Sequence, residues 1–205
     1  MPALVTVRGE ATRARIVQAA AELVAARGIT GTTLEEVMSA SGTSKSQFYS
    51  HFANKDALIL AVVSTQSERV LGFQAFSLSG VDSLERLRQW RDQVVTLNQA
   101  TRGIGGCLIG SLASTLAGRS EETRESLAQG FVRWESDVRR AIKAMQAHGV
   151  LSASANPNDL ATAVVCALQG GLLLAQATRS IRPLELALDM ALDHISACSE
   201  SAPFR

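Results

Sequence analysis

The chain has 205 residues, 46% of them hydrophobic and 4% aromatic, which is enough apolar material to bury a core and excludes an intrinsically disordered protein. Its 20 Lys and Arg residues against 19 Asp and Glu residues give a net charge of +1, which excludes a uniformly basic protein that coats nucleic acid. Three cysteines, Cys107, Cys166 and Cys198, lie far apart without Cys-x-x-Cys spacing, so we expect a reducing cytoplasm and no disulfide framework or zinc ribbon.

The residue pattern predicts helices along the whole chain, because alternating strand patterns are missing and Ala, Leu, Arg, Glu and Gln dominate. Gly28 is placed to end the first helix, and Gly42 to form a tight turn between two short helices. The predicted helices cover residues 10–27, a short segment from Thr33, a short segment from Ser44, and residues 55–78, 82–101, 105–118, 121–148, 157–179 and 183–198.

We therefore expect an all-α fold of about nine helices in two domains, a small three-helix domain over residues 1–54 and a larger helical domain over residues 55–205. An uncharged apolar stretch between Asp159 and Arg179 is nearly long enough to span a bilayer. Because it contains Gln169, Gln176 and two adjacent glycines, we interpret it as a helix buried on two protein faces and expect no membrane partner.

The segment from Thr33 to Phe52 carries the chemistry. Two short helices meet at a turn that contains a glycine, which is the spacing of a helix-turn-helix whose second helix enters the major groove of DNA. Polar residues from Thr43 to Gln47 lie at the amino end of that second helix, where unpaired backbone amides attract phosphate. Phe48 and Phe52 are four residues apart and should pin the helix to the core.

This stretch resembles the DNA-binding domain of the TetR family of bacterial transcriptional regulators, over about a quarter of the chain, from Glu10 to Leu58. The departures from the family pattern are Met38, Ser41, Thr43 and Ser46, which bear on base preference. The residues that carry the resemblance are Thr33, Val37, Ser41-Gly42-Thr43-Ser44, Phe48-Tyr49, His51-Phe52, Lys55 and Leu58.

The resemblance implies a homodimer that reads a palindromic operator in double-stranded DNA, with one helix-turn-helix per protomer. Carried over by position, the phosphate contacts are Thr33, Lys45, Tyr49, His51 and Lys55, and the groove-facing residues are Ser44, Ser46 and Gln47, with Thr43 beside them. Surface solvation of the lysines, core packing of Tyr49 and a pure capping role for Gln47 are the alternatives.

The resemblance also implies that the second domain binds an effector and dimerises. Helix 157–179 is apolar nearly all round, so one of its faces is free to meet a second subunit unless both belong to the protomer's own core. The predicted interface comprises Ala163, Ala167, Gly170 and Leu174 on this helix and Leu184, Leu188, Ala191 and Ile195 on the next.

An effector pocket is harder to predict, because an apolar stripe is more often core than a ligand site. The candidate lining residues are Trp90, Cys107, Leu112, Leu116, Phe131, Trp134 and Leu168. Cys107 follows two glycines and precedes Leu108-Ile109-Gly110, so we expect its thiol in the first turn of a helix. The run is similar to that of some TetR regulators that respond to electrophiles or oxidants; the alternative is a small buried hydrophobe.

The resemblance implies a repressor that a small-molecule effector releases from DNA, or, as the alternative, a repressor switched by covalent modification of Cys107. We do not expect an enzyme, a cofactor or a metal, because the sequence has no phosphate-binding loop and its histidines at 51, 148 and 194 stand far apart. A helical adaptor that does not bind DNA is the remaining hypothesis.

Overall fold

The computed structural model describes residues 7–100, 107, 109–110, 113, 118 and 121–199, and over these residues the chain is all-helical, which confirms the predicted fold class. The eight helices whose bounds fall within the described residues are α1 (Val7–Arg27), α2 (Leu34–Ser41), α3 (Lys45–His51), α4 (Lys55–Leu78), α5 (Leu84–Ala100), α6 (Glu121–Ala147), α7 (Pro157–Thr178) and α8 (Arg182–Ala197). The predicted helix over residues 105–118 lies mostly outside the described residues, although Ile109, Gly110 and Ala113 are helical.

The chain divides into two compact units, residues 1–68 and 69–205, and the division falls within α4. The predicted domain limits, 1–54 and 55–205, stay a prediction.

The first unit is organised around an aromatic pair on α3. Phe48 is fully buried and Phe52, at the carboxyl end of the helix, is 3% exposed, with their ring centroids 5.7 Å apart. Both belong to one apolar cluster with residues of α1, α2 and α4, including Ile16, Val37 and Val62. A helix of seven residues is too short to be stable alone, so this burial is what holds α3 in place, as the spacing predicted.

The turn between α2 and α3 is closed by backbone geometry and by a buried pair of hydroxyls. Gly42 has a φ of 62°, in the left-handed region, and the Thr43 amide donates to the Met38 carbonyl at 3.0 Å. Thr43 is buried, and its Oγ1 lies 2.8 Å from Ser41 Oγ, which donates in turn to the Val37 carbonyl at 2.7 Å. Two residues that depart from the family pattern thus complete each other's hydrogen bonding.

The second unit packs α7 between α6 and α8. Gly171 of α7 permits a close approach of α8, because a Cβ at this position would lie 2.9 Å from the Cα of Leu184. Arg91 joins α5 to α8 by an ion pair, because its Nη2 donates to Asp189 Oδ2 at 3.0 Å and its Nε lies 2.8 Å from Asp189 Oδ1. α7 is long and apolar enough to cross a membrane by composition, but these packed neighbours account for its buried side.

The hydroxyl pair in the turn is testable by a double-mutant cycle. We expect Ser41→Ala to lower the free energy of unfolding by about 1–2 kcal/mol, because it leaves the buried Thr43 hydroxyl without an acceptor. Thr43→Val should cost less than about 0.5 kcal/mol, since Ser41 keeps its bond to Val37, and the double variant should recover most of the loss. Urea unfolding measures each value; strictly additive losses would contradict the coupling.

Candidate functional site

The amino terminus of α3 is fixed by a capping box. Ser44 Oγ accepts from the Gln47 amide at 3.2 Å, and Gln47 Oε1 accepts from the Ser44 amide at 2.9 Å. Both side chains are exposed, so two of the predicted groove-facing residues have restricted orientations. The side-chain nitrogen of Gln47, Nε2, still carries two N–H donors, which point away from the Oε1 that accepts from Ser44.

The remaining surface of α3 is polar and open to solvent. Lys45, Ser46 and Tyr49 are exposed, and Tyr49 is held edge-on against Phe48 at a centroid distance of 5.3 Å. Ser50 is exposed beside them and was not predicted; it lies four residues after Ser46, a helical spacing that could have identified it. No acidic residue occurs in the sequence between Glu36 and Asp56, so nothing in this segment repels phosphate.

Thr33 begins α2 in a second capping box. Its Oγ1 accepts from the Glu36 amide at 3.2 Å and donates to Glu36 Oε2 at 3.0 Å, and Arg27 pairs with the same carboxylate at 2.7 Å. The hydrogen bonds from Thr33, with help from Arg27, hold the pKa of Glu36 below its usual value. The box therefore stabilises the folded unit at neutral pH and is lost as the pH falls through that lowered pKa.

Lys55 is drawn inward. Its Nζ donates to the carbonyls of Ile29 at 2.9 Å and Thr32 at 2.5 Å, and the side chain is half-buried. The ammonium thus ties the start of α4 to the loop between α1 and α2. His51 is also half-buried, at the last turn of α3. Of the nine predicted DNA-binding residues, Thr43 alone is buried, and its hydroxyl pairs with Ser41 inside the turn instead of facing solvent.

The helices α7 and α8 present an apolar patch, which differs in part from the predicted interface. Ala163, Gly170 and Leu174 of α7 are exposed and Ala167 is half-buried. The predicted α8 residues are buried against the protomer's own core, because Gly171 draws α8 onto α7; they are Leu184, Leu188, Ala191 and Ile195. The exposed apolar side chains that prediction missed are Leu173, Leu186 and Met190.

A cavity of about 230 Å³ lies within the second unit. Three predicted pocket residues line it, Cys107, Trp134 and Leu168, together with Val70, Phe73, Gln74, Val94, Leu97, Asn98 and Leu172. Two other predicted pocket residues are not among the described lining. Trp90 donates its Nε1–H to Gln74 Oε1 of the lining at 3.0 Å, and Phe131 is half-buried. Leu112 and Leu116 lie outside the described residues.

Cys107 sits at this cavity with a free, buried thiol. Its Sγ accepts from the Gly110 amide at 3.4 Å, and Ile109 and Gly110 are helical. The sulfur thus caps the helical segment that follows it, the position that the glycine spacing indicated.

Comparison with known families covers both units. The model for the tetR family of bacterial regulatory proteins matches residues 16–62, and the model for tetracyclin repressor-like carboxy-terminal domains matches residues 83–191, more than half of the chain. The chain belongs to the TetR family of helix-turn-helix transcriptional regulators.

Individual TetR-family relatives match along almost the whole length. An HTH-type regulator from the lacX 3′ region of Lactococcus lactis is 28% identical over 184 residues, covering 87% of this chain and 90% of its own. The repressor DhaR of a Mycobacterium strain is 23% identical over 192 residues, covering 92% and 94%. The structure of reduced Escherichia coli NemR superposes with a TM-score of 0.76 at 24% identity, covering 93% and 100%.

Substitution should distinguish a structural role of Lys55 from a phosphate-binding role of Lys45 in the DNA-binding domain of this TetR regulator. Lys55→Met removes a charged donor from two carbonyls, so we expect a loss of about 2 kcal/mol in the free energy of unfolding. Lys45→Met should change stability by less than about 0.5 kcal/mol but lower the salt slope of DNA binding by about one. Urea unfolding and anisotropy titrations over a salt series measure both. A stable Lys55→Met protein with the same reduced salt slope would instead make Lys55 a phosphate contact.

Proposed function

We propose that this TetR-family regulator is a dimeric repressor that binds a palindromic operator and is released when a small molecule occupies the second unit. The observation that carries the DNA-binding role is the exposed polar surface of α3, held by the buried Phe48 and begun by the Ser44–Gln47 capping box. The relatives DhaR and NemR are named repressors, which supports the same direction of control.

On DNA, the residues of α3 would have two roles. Lys45, Tyr49 and His51 supply donors to phosphate oxygens, which position the helix without reading sequence. Ser46 and the amide nitrogen of Gln47 reach base edges in the major groove. Because Gln47 Oε1 is held by the Ser44 amide, its nitrogen is the group offered outward, which favours acceptor atoms such as guanine O6 or thymine O4.

The apolar patch on α7 and α8 is the proposed dimer interface. Leu173 and Met190 are 65% and 67% exposed, and Leu174 and Leu186 are more than half exposed, beside the small residues Ala163 and Gly170. Large exposed side chains around small ones can interlock with the same surface of a second copy related by two-fold symmetry.

Release from the operator would begin with a ligand in the cavity of the second unit. α4 supplies Val70, Phe73 and Gln74 to its wall, and the same helix begins at Lys55. A ligand that prefers the arrangement with a displaced α4 shifts the population toward dimers whose recognition helices no longer match half-sites about 34–36 Å apart. We place the protein in the cytoplasm with DNA, a second copy and this effector as its partners, without a cofactor or a membrane.

A second candidate function uses Cys107 as the input. Its thiol lies on the cavity wall, where an electrophile that enters can reach it. Addition across an activated C=C bond would form an S–C bond at one carbon and transfer the thiol proton to the other. The adduct would fill the cavity and remove the thiol proton, so it would act on the same helices as a reversible ligand.

Operator binding and dimerisation are tested together. We expect the protein to bind DNA from its gene's own upstream region as a dimer, with affinity that falls steeply with salt. Met190→Glu places a charge in the apolar patch and should raise the dimer dissociation constant at least about 100-fold and weaken operator binding. Light scattering and fluorescence anisotropy measure these quantities.

The matched control for this variant is Val132→Glu, which places the same charge at an exposed apolar position of α6 outside the patch. It should leave both dimerisation and operator affinity unchanged. A Met190→Glu protein that stays dimeric would overturn the proposed interface, and binding that is equally tight on scrambled DNA would overturn operator recognition.

The covalent input is tested with N-ethylmaleimide on wild type and Cys107→Ser. If Cys107 is the switch, the reagent releases wild type from the operator and leaves the serine variant bound, because only the thiol adds to the maleimide. Mass spectrometry of digested protein should show that release from the operator parallels the adduct on Cys107 and not an adduct on the exposed Cys166. Release of both proteins to the same extent would eliminate Cys107 as the input.

A further inference from the structure

The two tryptophans of this chain have the same burial but different hydrogen bonding. Trp90 and Trp134 are each 1% exposed. The indole N–H of Trp90 donates to Gln74 Oε1 at 3.0 Å, whereas the indole N–H of Trp134 is buried with no hydrogen-bond partner among the residues that the structure describes. Buried indole donors are normally paired, because an unpaired one loses its bond to water without replacement. A bound ligand with an acceptor atom can supply the missing partner of Trp134.

Trp134 lines the 230 Å³ cavity, and its neighbours there are largely satisfied or apolar. Gln74 accepts from Trp90, the Asn98 amide donates to the Val94 carbonyl at 2.8 Å, and Cys107 accepts from the Gly110 amide. No charged side chain occurs among the described lining residues. Among the described lining residues the surface is mainly apolar, and the indole N–H of Trp134 is the fully buried donor that lacks a partner.

We propose that the cavity binds a small, uncharged, mainly apolar molecule whose single hydrogen-bond acceptor, such as a carbonyl oxygen, receives the indole N–H of Trp134. This inference rests on the proposed effector function and names the chemical class of the effector. A charged ligand is disfavoured, because nothing described on the wall would compensate its lost hydration.

The volume sets the size of this ligand. An apolar cavity of about 150 Å³ is sufficient for benzene, so 230 Å³ accommodates about six to nine non-hydrogen atoms. Drug-sized molecules occupy pockets of roughly 300 Å³ or more and exceed this space. Phe73 and Leu97 line both the cavity and an outer groove of about 500 Å³, and both are substantially exposed, so they mark the route by which a small molecule enters.

The test compares cyclohexanone with methylenecyclohexane, which has the same shape but no carbonyl oxygen. In a ¹⁵N–¹H correlation spectrum the two tryptophans give two indole signals, assigned with Trp90→Phe and Trp134→Phe. Cyclohexanone should move the Trp134 indole proton downfield and leave Trp90 in place, and should bind about 5–10-fold more tightly than the hydrocarbon. Equal binding of the two probes, or a Trp134 signal that ignores both, overturns the proposal.

Two tryptophan variants test which indole causes the tighter binding of the ketone. Trp134→Phe keeps an aromatic ring at the wall but removes the donor, so the ketone should lose its advantage over the hydrocarbon. Trp90→Phe removes an equally buried indole that does not line the cavity and should keep that advantage. Because these are ratios of two affinities on one protein, a general loss of stability cancels. Operator binding without ligand is read separately, so failure here leaves the DNA-binding role intact.

Discussion

The burial of Phe48 is the constraint on which the DNA-binding unit depends. α3 has seven residues, and its intrinsic helix stability in water is negligible at that length. The fully buried ring, with Phe52 beside it, converts contacts with α1, α2 and α4 into the stability that α3 lacks. One anchored face leaves the rest of the helix surface to polar residues, so the same constraint that forms α3 also determines what it presents.

Several polar side chains near this surface make hydrogen bonds within the folded unit. How far apart the two partners lie in the sequence determines whether the sequence predicts the bond. Ser44 with Gln47 and Thr33 with Glu36 pair within three residues, a spacing visible in the sequence. Lys55 finds its carbonyls more than twenty residues away, and Thr43 is buried by the turn that precedes it. Local pairing is therefore predictable, whereas a lysine or threonine turned inward by tertiary contacts carries no local signal.

In the second unit, too, the local sequence does not predict which residues tertiary contacts bury. Helical periodicity identified two apolar stripes on α7 and one on α8, but not which stripe faces inward. The close approach at Gly171 decides it, because it brings Leu184 against α7 and buries the regular stripe of α8 within the protomer. Leu186 and Met190, on the other side of α8, are left outside. A glycine in an apolar run thus determines which apolar residues of α8 stay exposed, more than the hydrophobic pattern does.

The small cavity places an energetic demand on any effector. Moving a two-state equilibrium from 1:99 to 99:1 needs about 5.5 kcal/mol of differential binding. A ligand of about eight non-hydrogen atoms gains at most about 12 kcal/mol, at the ceiling of roughly 1.5 kcal/mol per atom. Nearly half of that ceiling would have to be state preference, which uniform apolar contact does not supply because it exists in both states. A directional bond made in only one state, such as one to the indole of Trp134, supplies about 1–1.4 kcal/mol of this preference at the 5–10-fold advantage expected above. The rest has to come from apolar contacts that form in only one position of the cavity-lining helices.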